Sequence, residues 1–171
     1  MLNFITDRDI YSEVIQVQVP AAEKYVWIGT SDIKDMYVKS GLGMAPFLQT
    51  LSELIDHGVS IRLMHAKEPG PNFRKDFDKY PNLYSGVERM LCPRVHFKCV
   101  IVDGKFAYTG SANLTGAGMG AKSAKRRNFE SGIITDEKLL ISQISEQFDN
   151  VWLGSYCNDC GRRNDCTDCL E

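Results

Sequence analysis

The sequence predicts an α/β sandwich, a mixed β-sheet flanked by helices, and three observations carry that prediction. Helix-like and strand-like patterns alternate along the 171 residues. The run 46–57 reads as a helix closed by Gly58, and 59–65 follows as a strand, the spacing of an α/β crossover. Further on, Cys-Val-Ile-Val-Asp at 99–103 and Lys-Phe-Ala-Tyr-Thr at 105–109 are β-rich runs split by Asp103-Gly104, a two-residue hairpin signal.

Residues 9–19 admit two readings. Val-Ile-Gln-Val-Gln-Val has strand composition, whereas the spacing of Ile10, Val14, Ile15 and Val17 fits one helix face that Pro20 would end. Residues 24–29 read as a buried strand. After the helix 46–57 and the strand 59–65, residues 67–84 are rich in Pro, Lys and Asp and read as a polar excursion. A short strand at 86–91 precedes the hairpin. Residues 128–135 supply another strand and 137–153 an amphipathic closing helix.

Composition fits one domain able to bury a core, at 43% hydrophobic and 25% charged residues. A net charge of −2 excludes a chain that is basic overall. The first residues lack the basic flank and apolar core of a signal peptide, and no apolar run approaches the roughly 20 residues of a membrane span. Cytoplasmic residence is the expectation.

If Asp103-Gly104 is the whole turn, Lys98 faces Thr109 and His96 faces Ser111. Opposed residues, and residues two apart, share a side of the sheet. His96, Lys98, Ser111 and Asn113 then converge on one face. A lone strand histidine is ordinarily a packed or solvated residue. Three polar groups pointing inward together without partners would cost on the order of 1–3 kcal/mol each, so the set reads as a site. Asp103 is explained by its turn position, which makes its role mainly structural. Ser111 is either a phosphate donor or a residue that fixes its neighbours.

His96, Lys98, Asp103, Gly110, Ser111 and Asn113 fill the pattern His-x-Lys-x4-Asp-x6-Gly-Ser-x-Asn, which resembles the HKD motif of the phospholipase D superfamily. The match continues into Leu114-Thr115, and Asn128-Phe129-Glu130 matches a downstream Asn-x-Glu element. The resemblance covers roughly residues 8–154, with 94–131 carrying its weight. It implies a phospholipase D-like sandwich and tips residues 9–19 towards helix. It divides the chain into a phosphodiesterase domain at 1–154 and a tail at 155–171.

Phosphodiester cleavage suits this set. A neutral imidazole with a pKa near 6.5 can attack phosphorus at physiological pH. Lys98 and Asn113 supply a charge and an amide donor to the non-bridging oxygens. Glu130 would accept the other ring N–H of His96. A second acid must protonate the leaving oxygen. In the superfamily that acid is the histidine of a second motif, yet His57 and His65, the remaining histidines, lie in no such pattern. Members with one motif per chain build the site across a twofold axis, which implies a homodimer with two His96 side chains face to face. One His96 would form a phosphohistidine; its mate would protonate the leaving group and then activate water.

Gly116, Gly118 and Gly120 lead into Lys122, Lys125, Arg126 and Arg127, read as a mobile loop whose cations contact a polyanion. A solvated surface run is the plainer alternative, and proximity to Asn113 and Glu130 favours phosphate binding. Trp27 and Tyr37 could stack bases, although core packing explains Trp27 more simply. Gly41-x-Gly43 is too short for a phosphate loop.

The tail carries Cys157-x2-Cys160-x5-Cys166-x2-Cys169, two pairs of the kind a tetrahedral thiolate site needs. Structural zinc is the first choice. The short gap keeps an iron–sulfur cluster as a rival, and disulfides are less expected in a reducing compartment. Cys92 and Cys99 read as core residues. Three functions follow: a dimeric, metal-independent endonuclease acting on DNA or RNA, a phospholipid phosphodiesterase, or a nonenzymatic nucleic-acid-binding module. The single motif, small size and cationic loop favour the first.

Overall fold

The computed structural model describes residues 1–34 and 36–170. Along the chain come β1 (Leu2–Thr6), a helix at Ile10–Gln18, β2 (Tyr25–Thr30), β3 (Tyr37–Ser40), β4 (Gly43–Pro46), α1 (Phe47–Asp56) and β5 (Ser60–His65). Then follow α2 (Pro71–Phe77), α3 (Leu83–Gly86), β6 (Val87–Leu91), β7 (Cys99–Val102), β8 (Phe106–Gly110), β9 (Ser131–Thr135) and α4 (Lys138–Trp152). The main sheet has seven strands in the order β1-β9-β8-β7-β2-β5-β6. It is mixed, as predicted: β2, β5 and β6 are parallel, and the remaining pairs are antiparallel.

Helices cover both faces. One core joins Ile10, Val14 and Ile15 of the first helix, Leu48 and Leu51 of α1, Phe73 of α2 and Leu83 of α3 to Ile28, Val100 and Tyr108 of the sheet. The other joins Ile141, Ile144 and Phe148 of α4 to Ile101, Ala107 and Met64.

Residues 10–18 are helical, but wound as a π-helix, with Val19 N–H donating to the Val14 carbonyl at 3.0 Å. The wider turn explains why Ile10, Tyr11, Val14, Ile15 and Val19 all reach the core, a spacing that an α-helix face fits poorly. The polar excursion is more ordered than its composition implied. It holds α2, begun by Pro71 in the first turn, and α3; Phe73 and Leu83 bury, and so does Asp76, whose carboxylate pairs with Lys79 at 2.5 Å. The edge strand β1 and the hairpin β3–β4 carry no pattern legible in the sequence. The Gly41–Gly43 stretch closes that hairpin, with Gly41 at φ 55°.

The β7–β8 hairpin corrects the predicted register. Asp103 and Gly104 occupy left-handed backbone at φ 55° and 64°, and Lys105 N–H bonds the Val102 carbonyl at 2.9 Å. The ladder resumes only at Val102↔Phe106, so Lys105 is an extra turn residue and every pairing moves by one. All of β7 is buried, so its apolar pattern has no solvent face with which to specify register. Lys98 therefore lies beside Gly110, whose N–H donates to the Lys98 carbonyl at 3.1 Å, rather than opposite Thr109.

Candidate active site

The pairs Gly29↔Cys99, Gly110↔Gly132 and Thr6↔Ser131 put the ends of β1, β2 and β8 and the starts of β7 and β9 at one end of the sheet. The motif residues gather there, on irregular segments rather than on the ladder face predicted from the shorter turn.

His96 and Lys98 stand on the approach to β7. Val95 is buried and Phe97 turns inward towards Phe148, at a centroid distance of 6.5 Å, so His96 between them faces outward and is exposed. Gly29 makes room: a Cβ there would meet Phe97 Cε2 at 2.4 Å. Lys98 is buried at 7% exposure, with its Nζ 3.3 Å from His96 Nδ1 and 2.5 Å from the His96 carbonyl. Burial lowers the Lys98 pKa, and the Glu130 carboxylate works against that. A partly desolvated ammonium beside an exposed imidazole is poised to meet an anion.

Glu130 is held from several sides. Its carboxylate accepts the Ser111 hydroxyl and, at 3.0 Å, the Asn128 amide; its backbone N–H donates to Asp7 Oδ1 at 2.8 Å. Ser111 thus fixes a neighbour. Lys98, rather than Glu130, stands next to Nδ1 of His96, which differs from the expected Glu130–His96 bond. Gly110 and Gly132 let β8 and β9 close over Tyr108: a Cβ on Gly110 would lie 2.4 Å from the Ser131 carbonyl and 2.5 Å from Tyr108 Oη. Burial pushes the Tyr108 phenol up to about 12.

Asn113 reaches across to the end of β2. Its Oδ1 faces donors throughout: Ser31 Oγ at 2.8 Å, Asp32 N at 3.1 Å, Ser31 N at 3.2 Å and Thr30 Oγ1 at 3.3 Å. That surrounding assigns the oxygen to the 30–32 turn and leaves the amide nitrogen as the donor side. Asp103 stands apart, at the far end of β7. Its carboxylate accepts the backbone N–H groups of Glu23, Lys24 and Tyr25 at 2.8–2.9 Å, joining the hairpin to β2. It hydrogen-bonds none of the other motif residues, so although it belongs to the motif it stands outside the catalytic set, in the mainly structural role that its turn position predicts. Asp7, Thr30, Ser31 and Asp32 were missed, because their roles exist only once β1 and β2 end beside the motif.

Lys122, Lys125 and Arg126 are exposed and Arg127 is half-buried, and none forms an ion pair among the described residues. The loop is folded back by Lys122 N–H to the Gly116 carbonyl and Asn128 N–H to the Ala117 carbonyl, each 3.0 Å. Its glycines serve close approach: a Cβ on Gly118 would stand 2.6 Å from the Asn113 carbonyl, and one on Gly120 2.2 Å from that of Asp7. Trp27 is half-buried and packs against the core under α4, stacking on Phe148 at 5.3 Å. Tyr37 lies within 3.4 Å of Asp76.

Cys99 is buried and its thiol is pushed up to about 12. Cys92 is half-buried: it packs against the core under α4 and also lines a surface cavity together with Cys157, Cys160, Cys166 and Cys169. The donor chemistry fits a soft metal, although among the described residues no three His, Cys, Asp or Glu side chains are already arranged to hold an ion.

The family described as "Cardiolipin synthase, PLD-like domain" matches residues 15–152. The chain belongs to this phospholipase D-like family. Solved structures agree on the fold. Nuc from Salmonella typhimurium, a phospholipase D family member, superposes with a TM-score of 0.65 at 15% identity, covering 89% of this chain and 93% of its own. NucT from Helicobacter pylori gives 0.60 at 15% identity, covering 88% and 95%. TrmBL2, an archaeal chromatin protein with a novel mode of DNA binding, gives 0.59 at 12% identity, covering 88% of this chain and 51% of its own. No curated protein sequence matches the chain. Membership of the phospholipase D-like family supports phosphodiesterase-type hydrolysis. Among the described residues no helix is long and apolar enough to cross a membrane.

Proposed function

We propose that this phospholipase D-like protein is a homodimeric, metal-independent endonuclease that cleaves DNA or RNA through a phosphohistidine. The observation that carries the reading is the exposed imidazole of His96 set against the buried ammonium of Lys98. In the reaction, Lys98 Nζ moves onto a non-bridging oxygen with the Asn113 amide. His96 Nδ1 then keeps the ring proton and the Nε2 lone pair attacks phosphorus. The P–O bond to the leaving nucleotide breaks, and that oxygen takes a proton from the partner subunit's His96. The same partner imidazole next removes a proton from water, which hydrolyses the P–N bond and frees His96.

The cations of the 122–127 loop, without ion pairs among the described residues and joined to Glu130 through Asn128, favour nucleic acid as substrate. Phe129, fully exposed beside Glu130, and the exposed pair Phe4–Ile133 on the neighbouring strands support a second copy next to the site. A second reading, cleavage of phospholipids, draws on Leu42 and Met44, exposed at the β3–β4 turn. The tail's Cys-x2-Cys pairs would supply thiolates to a structural metal, zinc before an iron–sulfur cluster, closed to catalysis.

Cleavage of single- and double-stranded DNA and RNA in EDTA, wild type beside His96→Ala, tests the reading. Cleavage by the wild type, reduced at least about a thousandfold in the variant, is expected. Inertness on nucleic acid with hydrolysis of liposomes would move the assignment to lipid. Binding without cleavage would make the chain an adaptor.

A further inference from the structure

The tail docks on the segment that leads into His96. Asp168 Oδ2 accepts the Leu91 N–H at 2.7 Å, the Cys166 thiol approaches the Leu91 carbonyl at 3.7 Å, and Arg94 donates to Cys160 Sγ at 3.7 Å. Between the tail, the 92–97 segment and α4 lies a cavity of about 230 Å³ walled by Cys92, Cys157, Cys160, Cys166 and Cys169. All of these cysteines are free thiols. Apolar contact does little to hold the tail: Tyr156 and Leu170 are 56% and 41% exposed, and among the described residues its regular structure is the single turn Arg163–Asp165. A docked segment with so little core needs another source of order.

The thiols divide unequally. Cys92, Cys157, Cys166 and Cys169 face the same cavity, and the thiols of Cys166 and Cys169 approach backbone carbonyls, those of Leu91 and Leu170, each at 3.7 Å. Cys160 accepts instead from the guanidinium of Arg94 at 3.7 Å. We propose that Cys92, Cys157, Cys166 and Cys169 bind one zinc-class divalent ion, and that this ion clamps the tail onto the segment carrying His96. The inference rests on the tail metal proposed above and changes its ligand set, with Cys92 of the main domain replacing Cys160. Binding draws the thiols inward and releases their protons to solvent; the tail's scant regular structure leaves it able to close. Four thiolates leave no open coordination position, so the ion positions the His96 segment and takes no part in the chemistry.

The test is a cobalt(II) titration of the reduced full chain, with Cys92→Ser, Cys92→Ala and Cys160→Ser beside the wild type, each checked for an unchanged far-ultraviolet spectrum. The expected result is one cobalt per wild-type chain with intense thiolate charge-transfer absorption, displaced by zinc. Binding weakens at least tenfold in the folded Cys92 variants and is unchanged in Cys160→Ser. Zinc should also protect Arg162 and Arg163 from trypsin in wild type and Cys160→Ser, and not when Cys92 is replaced. No thiolate absorption in the wild type overturns the metal site itself. Retained binding without Cys92, or abolished binding without Cys160, overturns the ligand set. The titration is independent of nucleic-acid cleavage, so an inactive protein with a normal cobalt spectrum counts against the nuclease reading alone.

Discussion

His96 and Lys98 are separated by one residue yet occupy opposite environments, an exposed imidazole and an ammonium at 7% exposure. The backbone produces this contrast by turning Val95 and Phe97 into the core and Lys98 beneath the imidazole. Lys98→Met should lower kcat by roughly 10²- to 10³-fold with little change in melting temperature, since the missing ammonium neutralises charge that grows towards the transition state. Ser111 acts through Glu130, so Ser111→Ala should cost about tenfold in kcat with KM nearly unchanged. A Ser111→Ala variant with wild-type turnover would remove Ser111 from the mechanism. The residue identities were legible because the motif fixes six positions. The division of labour was not: Glu130 serving Ser111 and Asn128, and Asn113 anchoring Thr30–Asp32, depend on strand ends far apart in sequence.

At the scale of elements, the β7–β8 hairpin shows what pattern can and cannot decide. Asp103-Gly104 correctly marked the turn, but with β7 buried on both sides the register follows from the turn's own geometry, in which Lys105 N–H bonds the Val102 carbonyl at 2.9 Å. Burial works against ionisation of Asp103, but the N–H groups of Tyr25, Glu23 and Lys24, aided by Lys105, outweigh it and hold the carboxyl below its ordinary value. A depressed carboxyl stabilises the fold above its unfolded pKa, about 3.9, and loses that contribution as pH falls through the folded value. Asp103→Ala should therefore destabilise by about 1–3 kcal/mol at pH 7, with the gap from wild type narrowing in acid melts. Activity per folded molecule should be retained, since the side chain is remote from the site. Gly110→Ala should cost about 2 kcal/mol or more, because the new methyl meets the Ser131 carbonyl and the Gly132 backbone, neither of which is a flexible side chain. The helices of 67–84 and the strand β1 went unread because short elements with few buried residues leave almost no periodic signal.

For the whole molecule, one sheet end collects an exposed imidazole, a buried ammonium, an anchored amide and a carboxylate, but only one motif histidine. The missing acid is the ground for the proposed second copy. Replacing Lys122, Lys125, Arg126 and Arg127 by Ala should weaken nucleic-acid binding and flatten its salt dependence, by roughly 0.9 in log–log slope for each phosphate left without its cation. An unchanged slope would return the loop to an ordinary solvated surface. The mechanism stands or falls on one His96 of a pair attacking phosphorus while the other serves as acid. Turnover of a 5′- and 3′-labelled oligonucleotide, quenched in alkaline denaturant and followed by mass measurement of the intact chain, reads it directly. The dimeric mechanism predicts a base-stable, acid-labile nucleotidyl adduct on His96 that saturates at about one per two chains and is absent in His96→Ala. Robust cleavage with no adduct, or one adduct on every chain of a protein that stays monomeric, would contradict it.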